Sequence, residues 1–274
     1  MIHTNEYAPA CGELAESTLS VARQATLEAG NIVREYFNHT FEVKSKGPNN
    51  PVTTADLAAD RLLHQRLMDA FPDDGWLSEE TADAPARLER RRVWVIDPID
   101  GTQEFIQGLP EFAISVALVV AGQAVLGLVH NPITGELFHA LRGGGAFVDD
   151  QRAHVSQRAQ VNGAQVIASR SEFKRGAFDA LQAPLEIVPT GSIAYKLALV
   201  AAGRADATWS QRPKHEWDIC AGVLLVQEAG GRVTDLDGRL HRFNQPHPEV
   251  NGIVATNGHL HRGIMTLLGR DGRR

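Results

Sequence analysis

Cysteine is scarce: Cys11 and Cys220 are the only two in 274 residues, without the dense spacing of a disulfide-stapled secreted domain. A reducing, cytoplasmic setting is the expectation, and Met1 to Gly12 shows no basic stretch leading into an apolar run of the kind that directs export. A surplus of positive charge is also missing. With 27 basic and 33 acidic residues the formal net charge is −6, so a broad field for nucleic acid or anionic membrane is excluded. The one run long enough to suggest a membrane span, Phe112 to Val129, is interrupted by Gly122-Gln123 and bounded by Glu111 and His130, which predicts two buried strands joined by a turn. There is no repeat, low-complexity tract or long linker.

What is present is an ordinary folded composition, 43% apolar and 22% charged, in a chain of about two domain lengths at roughly 150 residues each. Ala22, Ala25, Ala29, Ile32 and Tyr36 recur at spacings of three and four and predict a helix over Ser17 to Phe37. Lys44 to Pro51 has loop composition, and Thr53-Thr54 offers an N-cap to a second helix burying Ala59, Leu63, Leu67 and Ala70. Arg92 to Ile96 reads as a strand that stops at Asp97-Pro98, since proline cannot donate to a ladder. An antiparallel meander follows over Phe112–Val120, Ala124–His130, Glu136–Leu141 and Ala146–Val148, with Gly143 to Gly145 as a turn. Beyond residue 155 short strands alternate with helices over Ile193–Ala202 and Asp218–Ala229, a pattern of α/β type. The expected organisation is an N-terminal α+β half, 1–154, and a C-terminal α/β half, 155–274, ending in a charged tail from Arg270.

The chemistry concentrates in Trp94-Val95-Ile96-Asp97-Pro98-Ile99-Asp100-Gly101-Thr102-Gln103-Glu104-Phe105. Asp97 and Asp100 lie three apart on a turn stiffened by Pro98 and loosened by Gly101, so both carboxylates can face one point. Hard oxygens arranged this way suit Mg²⁺, and the Thr102 hydroxyl can hold a phosphate oxygen or orient a water. A surface turn explains Asp-Pro and Asp-Gly singly but not their place after a buried β-run and before a threonine. Further acids follow the same theme at Leu77-Ser78-Glu79-Glu80 and at Glu216-Trp217-Asp218.

Taken in order, these motifs resemble the inositol monophosphatase superfamily of Mg²⁺-dependent, lithium-sensitive phosphatases, whose hallmark is a strand ending in Asp-Pro-Ile/Leu-Asp-Gly-Thr, with Glu-Glu upstream and Trp-Asp downstream. The resemblance runs from Asp56 to about Gly231. It implies a layered αβαβα sandwich, a homodimer, two or three Mg²⁺ per site and Li⁺ as inhibitor. Glu79, Asp97 and the Ile99 carbonyl would hold one metal, Asp97, Asp100 and Asp218 a second, and Asp56 a third. Asp56 stands in Val52-Thr53-Thr54-Ala55-Asp56, which departs from the family's Thr-Ala-Thr-Asp at Thr54 and Ala55. Glu79 and Thr102, with Asp56 nearby, would orient the attacking water, and a water on the Asp218 side would protonate the leaving group.

Gly191-Ser192-Ile193-Ala194 opens a predicted helix whose N–H groups favour an anion, and it matches the family's Gly-Thr/Ser-Ala substrate segment with Ile193 interposed. A plain N-cap is the alternative. With Asp100, Gly101, Thr102 and Asp218, the candidate substrate contacts are Gly191, Ser192, Gln211 and Lys214. Glu104 in place of the asparagine usual in inositol monophosphatases, Gln211 in place of glutamate, and the basic Arg212, Lys214 and His215 favour the branch acting on 3′(2′)-phosphoadenosine 5′-phosphate. Inositol 1-phosphate or another polyol phosphate is the alternative substrate, and a metal-binding regulatory protein without turnover is the alternative of a different class.

Other conspicuous residues read more simply. The eleven histidines lack ligand spacing, and Gly143 to Gly145 lacks the lysine and helix of a phosphate loop. Arg170, Lys174 and Arg175 read as a solvated face. Cys220 reads as core packing, and Ser192 has no visible base to make it a nucleophile.

Overall fold

Small side chains let the first helix lie close to its neighbours. Ala22, Ala25, Ala29 and Val33 are buried along α1 (Cys11–Phe37), while Ile32 and Tyr36, expected on that face, are only half-buried. The computed structural model describes residues 11–47, 50–181 and 185–270. The first ten residues and positions 271–274 of the expected tail lie outside the described residues.

Lys44 to Pro51 is not the expected loop. There β1 (Val43–Gly47) pairs antiparallel with β2 (Asn50–Thr53), Val43 opposite Thr53. Its sequence concealed it because Val43 to Lys46 are all exposed, leaving no apolar alternation to mark a strand. The cap at Thr53 is as expected: its hydroxyl accepts the N–H groups of Ala55 and Asp56, and the Asp56 carboxylate accepts the Thr53 N–H, starting α2 (Thr54–Ala70). Ala59, Leu63 and Leu67 point inward, whereas Ala70, in the last turn, is exposed.

A seven-stranded sheet follows in chain order: β3 (Gly75–Ser78), β4 (Arg92–Asp100), β5 (Ala113–Val120), β6 (Gln123–His130), β7 (Leu137–Leu141), β8 (Gly145–Val148) and β9 (Gln151–Ala153), with α3 (Thr102–Ile106) between β4 and β5. Only β3 and β4 run parallel, and from β4 onward the sheet is the expected meander. The run Phe112 to Val129 is indeed two strands, joined at Ala121-Gly122. Strand β4 does not stop at Asp97-Pro98. It continues to Asp100 through a shift of register, Asp97 opposing Ser115 and Asp100 opposing Ala113, and the extra residue accommodates the missing proline donor.

The second sheet has the order β11-β10-β12-β16-β14 and comprises β10 (Ala164–Ser169), β11 (Leu185–Thr190), β12 (Ala207–Ser210), β14 (Arg232–Thr234) and β16 (Ile253–Thr256). The short strands β13 (Lys214–His215) and β15 (Glu249–Val250) pair with each other. Helices α4 (Arg170–Lys174), α5 (Ile193–Ala201), α6 (Glu216–Glu228) and α7 (His261–Leu267) complete the chain.

Alternation along the strands sorts the core into layers. Val93 and Val95 of β4 face α5 and α6, while Trp94 and Ile96 face α1 and α2. In the second sheet Ile253 and Ala255 of β16 join the central cluster, and Val254 joins Ile264 and Met265 of α7 on the far side. The result is α1/α2, large sheet, α5/α6, small sheet, then α4/α7: the αβαβα sandwich. Gly127 of β6 brings the sheet against α6, where a Cβ would stand 2.9 Å from the Ala221 carbonyl oxygen. Among the described residues no helix is long and apolar enough to cross a membrane.

Candidate active site

Six acids from four separate places converge at one edge of the large sheet. Glu79 and Glu80 follow β3, Asp97 and Asp100 lie on the irregular end of β4, Asp56 is in the first turn of α2, and Asp218 is in the first turn of α6. Asp60 fixes the first pair by accepting the hydroxyls of Ser78 (2.5 Å) and Thr81 (2.8 Å), which ties the loop after β3 to α2. Gly101 makes the turn between β4 and α3 with φ of 101°, a conformation only glycine adopts readily, and a Cβ there would meet Phe112 and the Glu111 carbonyl.

Each acid is held differently. Asp56 Oδ2 accepts the Thr53 N–H at 2.8 Å and its hydroxyl at 2.6 Å. The Thr102 hydroxyl lies 3.2 Å from Asp56 Oδ1 and 3.1 Å from the Ile99 carbonyl oxygen. Asp100 Oδ2 accepts the Ser192 hydroxyl at 2.5 Å and the Ala194 N–H at 2.6 Å, and Asp218 Oδ2 accepts the His215 N–H at 3.0 Å. Lys46 reaches in from the β1–β2 hairpin, its Nζ 2.9 Å from Glu79 Oε1 and 2.7 Å from Glu80 Oε1. Asp97 Oδ1 accepts the Ile99 N–H at 3.0 Å, but Oδ2 is buried without a hydrogen-bond partner.

This crowding disfavours ionisation. Burial, reinforced by Glu79, Asp100, Asp218 and Asp56, drives Asp97 well above the ordinary carboxylate range. Burial, with Asp100 adding to it, carries Asp218 to about 8. Burial, aided by Glu79, outweighs the Thr53 hydrogen bonds to put Asp56 at about 6, and burial, aided by Glu79 and Asp56, outweighs Lys46 to put Glu80 at about 7. As these side chains are held, no three His, Cys, Asp or Glu groups among the described residues enclose a metal-sized point. The donor set nevertheless fits a hard divalent cation: oxygens only, more negative charge than Lys46 and Lys214 offset, and a buried, unpartnered oxygen on Asp97 at the centre.

The pattern of the inositol monophosphatase family matches residues 14–271. The chain belongs to the inositol monophosphatase family. An inositol-1-monophosphatase of Rhizobium meliloti (strain 1021) is 37% identical over 262 residues, 92% of this chain and 96% of that protein. A histidinol-phosphatase of Chlorobaculum parvum is 34% identical over 261 residues, 93% of this chain and 98% of its own length. The crystal structure of extragenic suppressor protein suhB from Bartonella henselae superposes with a TM-score of 0.82 at 33% identity, covering 92% of this chain and 98% of that one. The chain is thus a phosphatase, a phosphoric monoester hydrolase of the inositol monophosphatase family.

On the substrate side, the plain N-cap read as the alternative at Gly191-Ser192 is what the structure holds: the Ser192 hydroxyl accepts the Tyr195 N–H, Asp100 accepts the Ala194 N–H, and the Gly191 N–H donates to Glu111 Oε2 at 2.8 Å. Two other features differ from the sequence reading. Gln211, Arg212 and His215 are exposed, and only Lys214 is half-buried, close enough to Asp218 to lower its carboxyl pKa. Arg170, expected in a solvated face, forms a two-pronged pair with Glu111.

Three contributors were missed. Lys46 lay in apparent loop sequence. Asp60 carried no signal beyond its place in a helix. Lys196 of α5 is buried, its Nζ donating to the Thr190 carbonyl at 3.2 Å, and burial lowers it to about 8. An isolated lysine among apolar residues of a predicted helix was the available clue to that last one.

Proposed function

We propose that the protein hydrolyses a small phosphate monoester of a polyol, with inositol 1-phosphate as its first candidate, in a reaction that depends on Mg²⁺. The observation that carries the reading is the buried, unpartnered Oδ2 of Asp97 amid four further carboxylates. Glu79, Asp97, Asp100, Asp218 and the Ile99 carbonyl would hold the cations, with Asp56 at the margin. Bound Mg²⁺ supplies Lewis-acid polarisation of the phosphate and a water acidified toward neutrality. Thr102 donates to Ile99 or Asp56 and thereby turns its lone pairs outward, where with Glu79 it orients the attacking water. Asp218, at the first turn of α6, would orient a second water that protonates the departing alkoxide.

The polyol assignment is supported by the named inositol-1-monophosphatase relative. Glu104 packs against Gly191 beside Lys196 and Asp100, a place that by itself distinguishes neither ester class. The second reading, 3′(2′)-phosphoadenosine 5′-phosphate hydrolysed to AMP, is favoured by one observation, the half-buried Lys214 next to Asp218, which suits a second phosphate. A cytoplasmic homodimer inhibited by Li⁺ completes the proposal, testable by sedimentation and by Li⁺ titration.

The deciding experiment is phosphate release with Mg²⁺ from both esters. A tenfold preference, about 1.4 kcal/mol of transition-state binding, selects the substrate class. Mg²⁺ binding without release from either would support the regulatory alternative.

A further inference from the structure

Helix α4 supplies none of the acids, yet it follows the middle strand of three parallel strands whose ends frame the substrate side. β10 pairs in parallel with both β11 and β12. β11 ends at Thr190, before Gly191-Ser192, and β12 ends at Ser210, before the turn that carries Gln211 and Lys214. The carboxyl ends of adjacent parallel strands are where such sheets place ligands, so α4 stands between the two turns that border the leaving group.

Two residues of α4 hold those turns, one each. Arg170 Nε donates to Glu111 Oε2 at 2.6 Å while Nη2 donates to Oε1, and the same Oε2 accepts the Gly191 N–H at 2.8 Å. Two positions later Glu172, 7% exposed, accepts the Ser210 hydroxyl on Oε1 at 3.0 Å. Ser210, 1% exposed, in turn accepts the Arg212 N–H at 3.2 Å and closes the turn. Glu172 Oε2 is buried with no hydrogen-bond partner, and the nearby buried charge that responds to it is Lys196. A buried carboxylate left half-satisfied calls for a role beyond packing.

We infer that Arg170 and Glu172 are positioning residues that fix the spacing between the Gly191-Ser192 turn and the Ser210–Lys214 turn, and so determine which leaving group the phosphatase accepts. The inference rests on the reading that a phosphate monoester is hydrolysed between these turns. Neither residue touches the carboxylates expected to hold the cations, so the hydrolytic step itself does not depend on them. A fixed gap favours a leaving group that spans it. An activated ester such as p-nitrophenyl phosphate needs no such grip.

The test compares wild type, Arg170→Met, Glu172→Ala and Glu172→Gln on inositol 1-phosphate and p-nitrophenyl phosphate with saturating Mg²⁺. Arg170→Met and Glu172→Ala are expected to lower kcat/KM on inositol 1-phosphate about tenfold, mainly through KM, because misplacing a binding group degrades orientation. Their rates on p-nitrophenyl phosphate should stay within about twofold of wild type. Glu172→Gln, whose amide oxygen still accepts the Ser210 hydroxyl, should keep the wild-type ratio. Equal losses on both esters together with a lowered Tm would reduce α4 to scaffolding, and unchanged ratios would remove the inference outright. A wild type that cleaves p-nitrophenyl phosphate but not inositol 1-phosphate overturns the polyol assignment alone, and the ratios are then read with 3′-phosphoadenosine 5′-phosphate. A wild type inactive on all three removes the catalytic reading, and this inference with it.

Discussion

Asp100 and Ser192 meet across the two halves of the chain: the Ser192 hydroxyl donates to Asp100 Oδ2 at 2.5 Å, and the same oxygen accepts the Ala194 N–H. A site carboxylate on the large sheet thus also closes the first turn of α5, and the helix N-terminus in return stabilises its negative charge. Ser192 adopts φ of 51°, a left-handed conformation that its two hydrogen bonds, to Asp100 and from the Tyr195 N–H, maintain.

Ser192→Ala should therefore cost about 1 kcal/mol of stability, the usual worth of an N-cap. Ser192→Gly should cost less, because glycine accepts the positive φ without strain. Urea unfolding of the two variants checks the order. Equal stability in alanine and wild type would show that the cap contributes nothing.

Lys46 is the cation that bridges Glu79 and Glu80. Lys46→Met should lower the Tm of the metal-free protein, since two adjacent carboxylates lose their counter-charge. The gain in Tm on adding Mg²⁺ should widen by the same reasoning, because a ligand bound only by the folded state stabilises it. Differential scanning fluorimetry with EDTA and with Mg²⁺ reads both, and a narrowed gap counts against the assignment.

Metal-free stability should fall as pH rises from about 6.5 to 8. Burial holds Glu80 and Glu216 near 7 and Asp218 near 8 in the folded chain, whereas the unfolded chain has released those protons well below pH 6. The folded state then binds more protons across that window, and deprotonation disfavours it. Buried His130, His139, His241 and His261 are lowered and oppose the fall at the low end, where the unfolded chain's histidines shed their protons, and Lys196, near 8, opposes it at the high end, so the fall is steepest near pH 7. Urea midpoints at pH 6.5 and 8 in EDTA check the slope, which Mg²⁺ should flatten by favouring the ionised acids.

Asp97→Asn should separate stability from turnover. Burial and its acidic neighbours already favour the uncharged Asp97 carboxyl, so an amide of the same shape should leave the metal-free Tm nearly unchanged, while phosphate release falls by about a hundredfold or more through loss of a cation ligand. A large rise in Tm in EDTA would show that Asp97 is ionised in the metal-free protein.

Gly127→Val places a side chain against the backbone of α6, with Cβ 2.9 Å from the Ala221 oxygen and 3.0 Å from its Cα. Overpacking of this kind costs about 1 to 3 kcal/mol. Because α6 carries Asp218, the Mg²⁺ concentration needed for half-maximal activity should rise as well. Unchanged thermal stability would mean that α6 shifts freely.

The sequence made the acids legible because their backbone signals were local: a β-run, then Asp97-Pro98, then Gly101 with positive φ, all within one segment. The layering was expected only through the family resemblance; the alternation in β4 and β5 that sends successive side chains to opposite clusters explains it once the fold is seen. Contacts made by single side chains over long separations were not legible. Nothing near Lys46 announces that it reaches Glu79, and nothing near Ser192 announces that Asp100 fills the helix end that looked open to an anion. The β1–β2 hairpin escaped because an exposed polar ribbon has no buried face to imprint a period.

The central position of α6 also makes the acidic group a joint product of distant parts of the chain. Glu79, Asp97 and Asp100 stand at the large sheet, whereas Asp218 joins them only through α6, which packs between the two sheets. The group is therefore complete only where α6 is seated, and the repulsion among its members bears on that packing rather than on strand pairing within the meander.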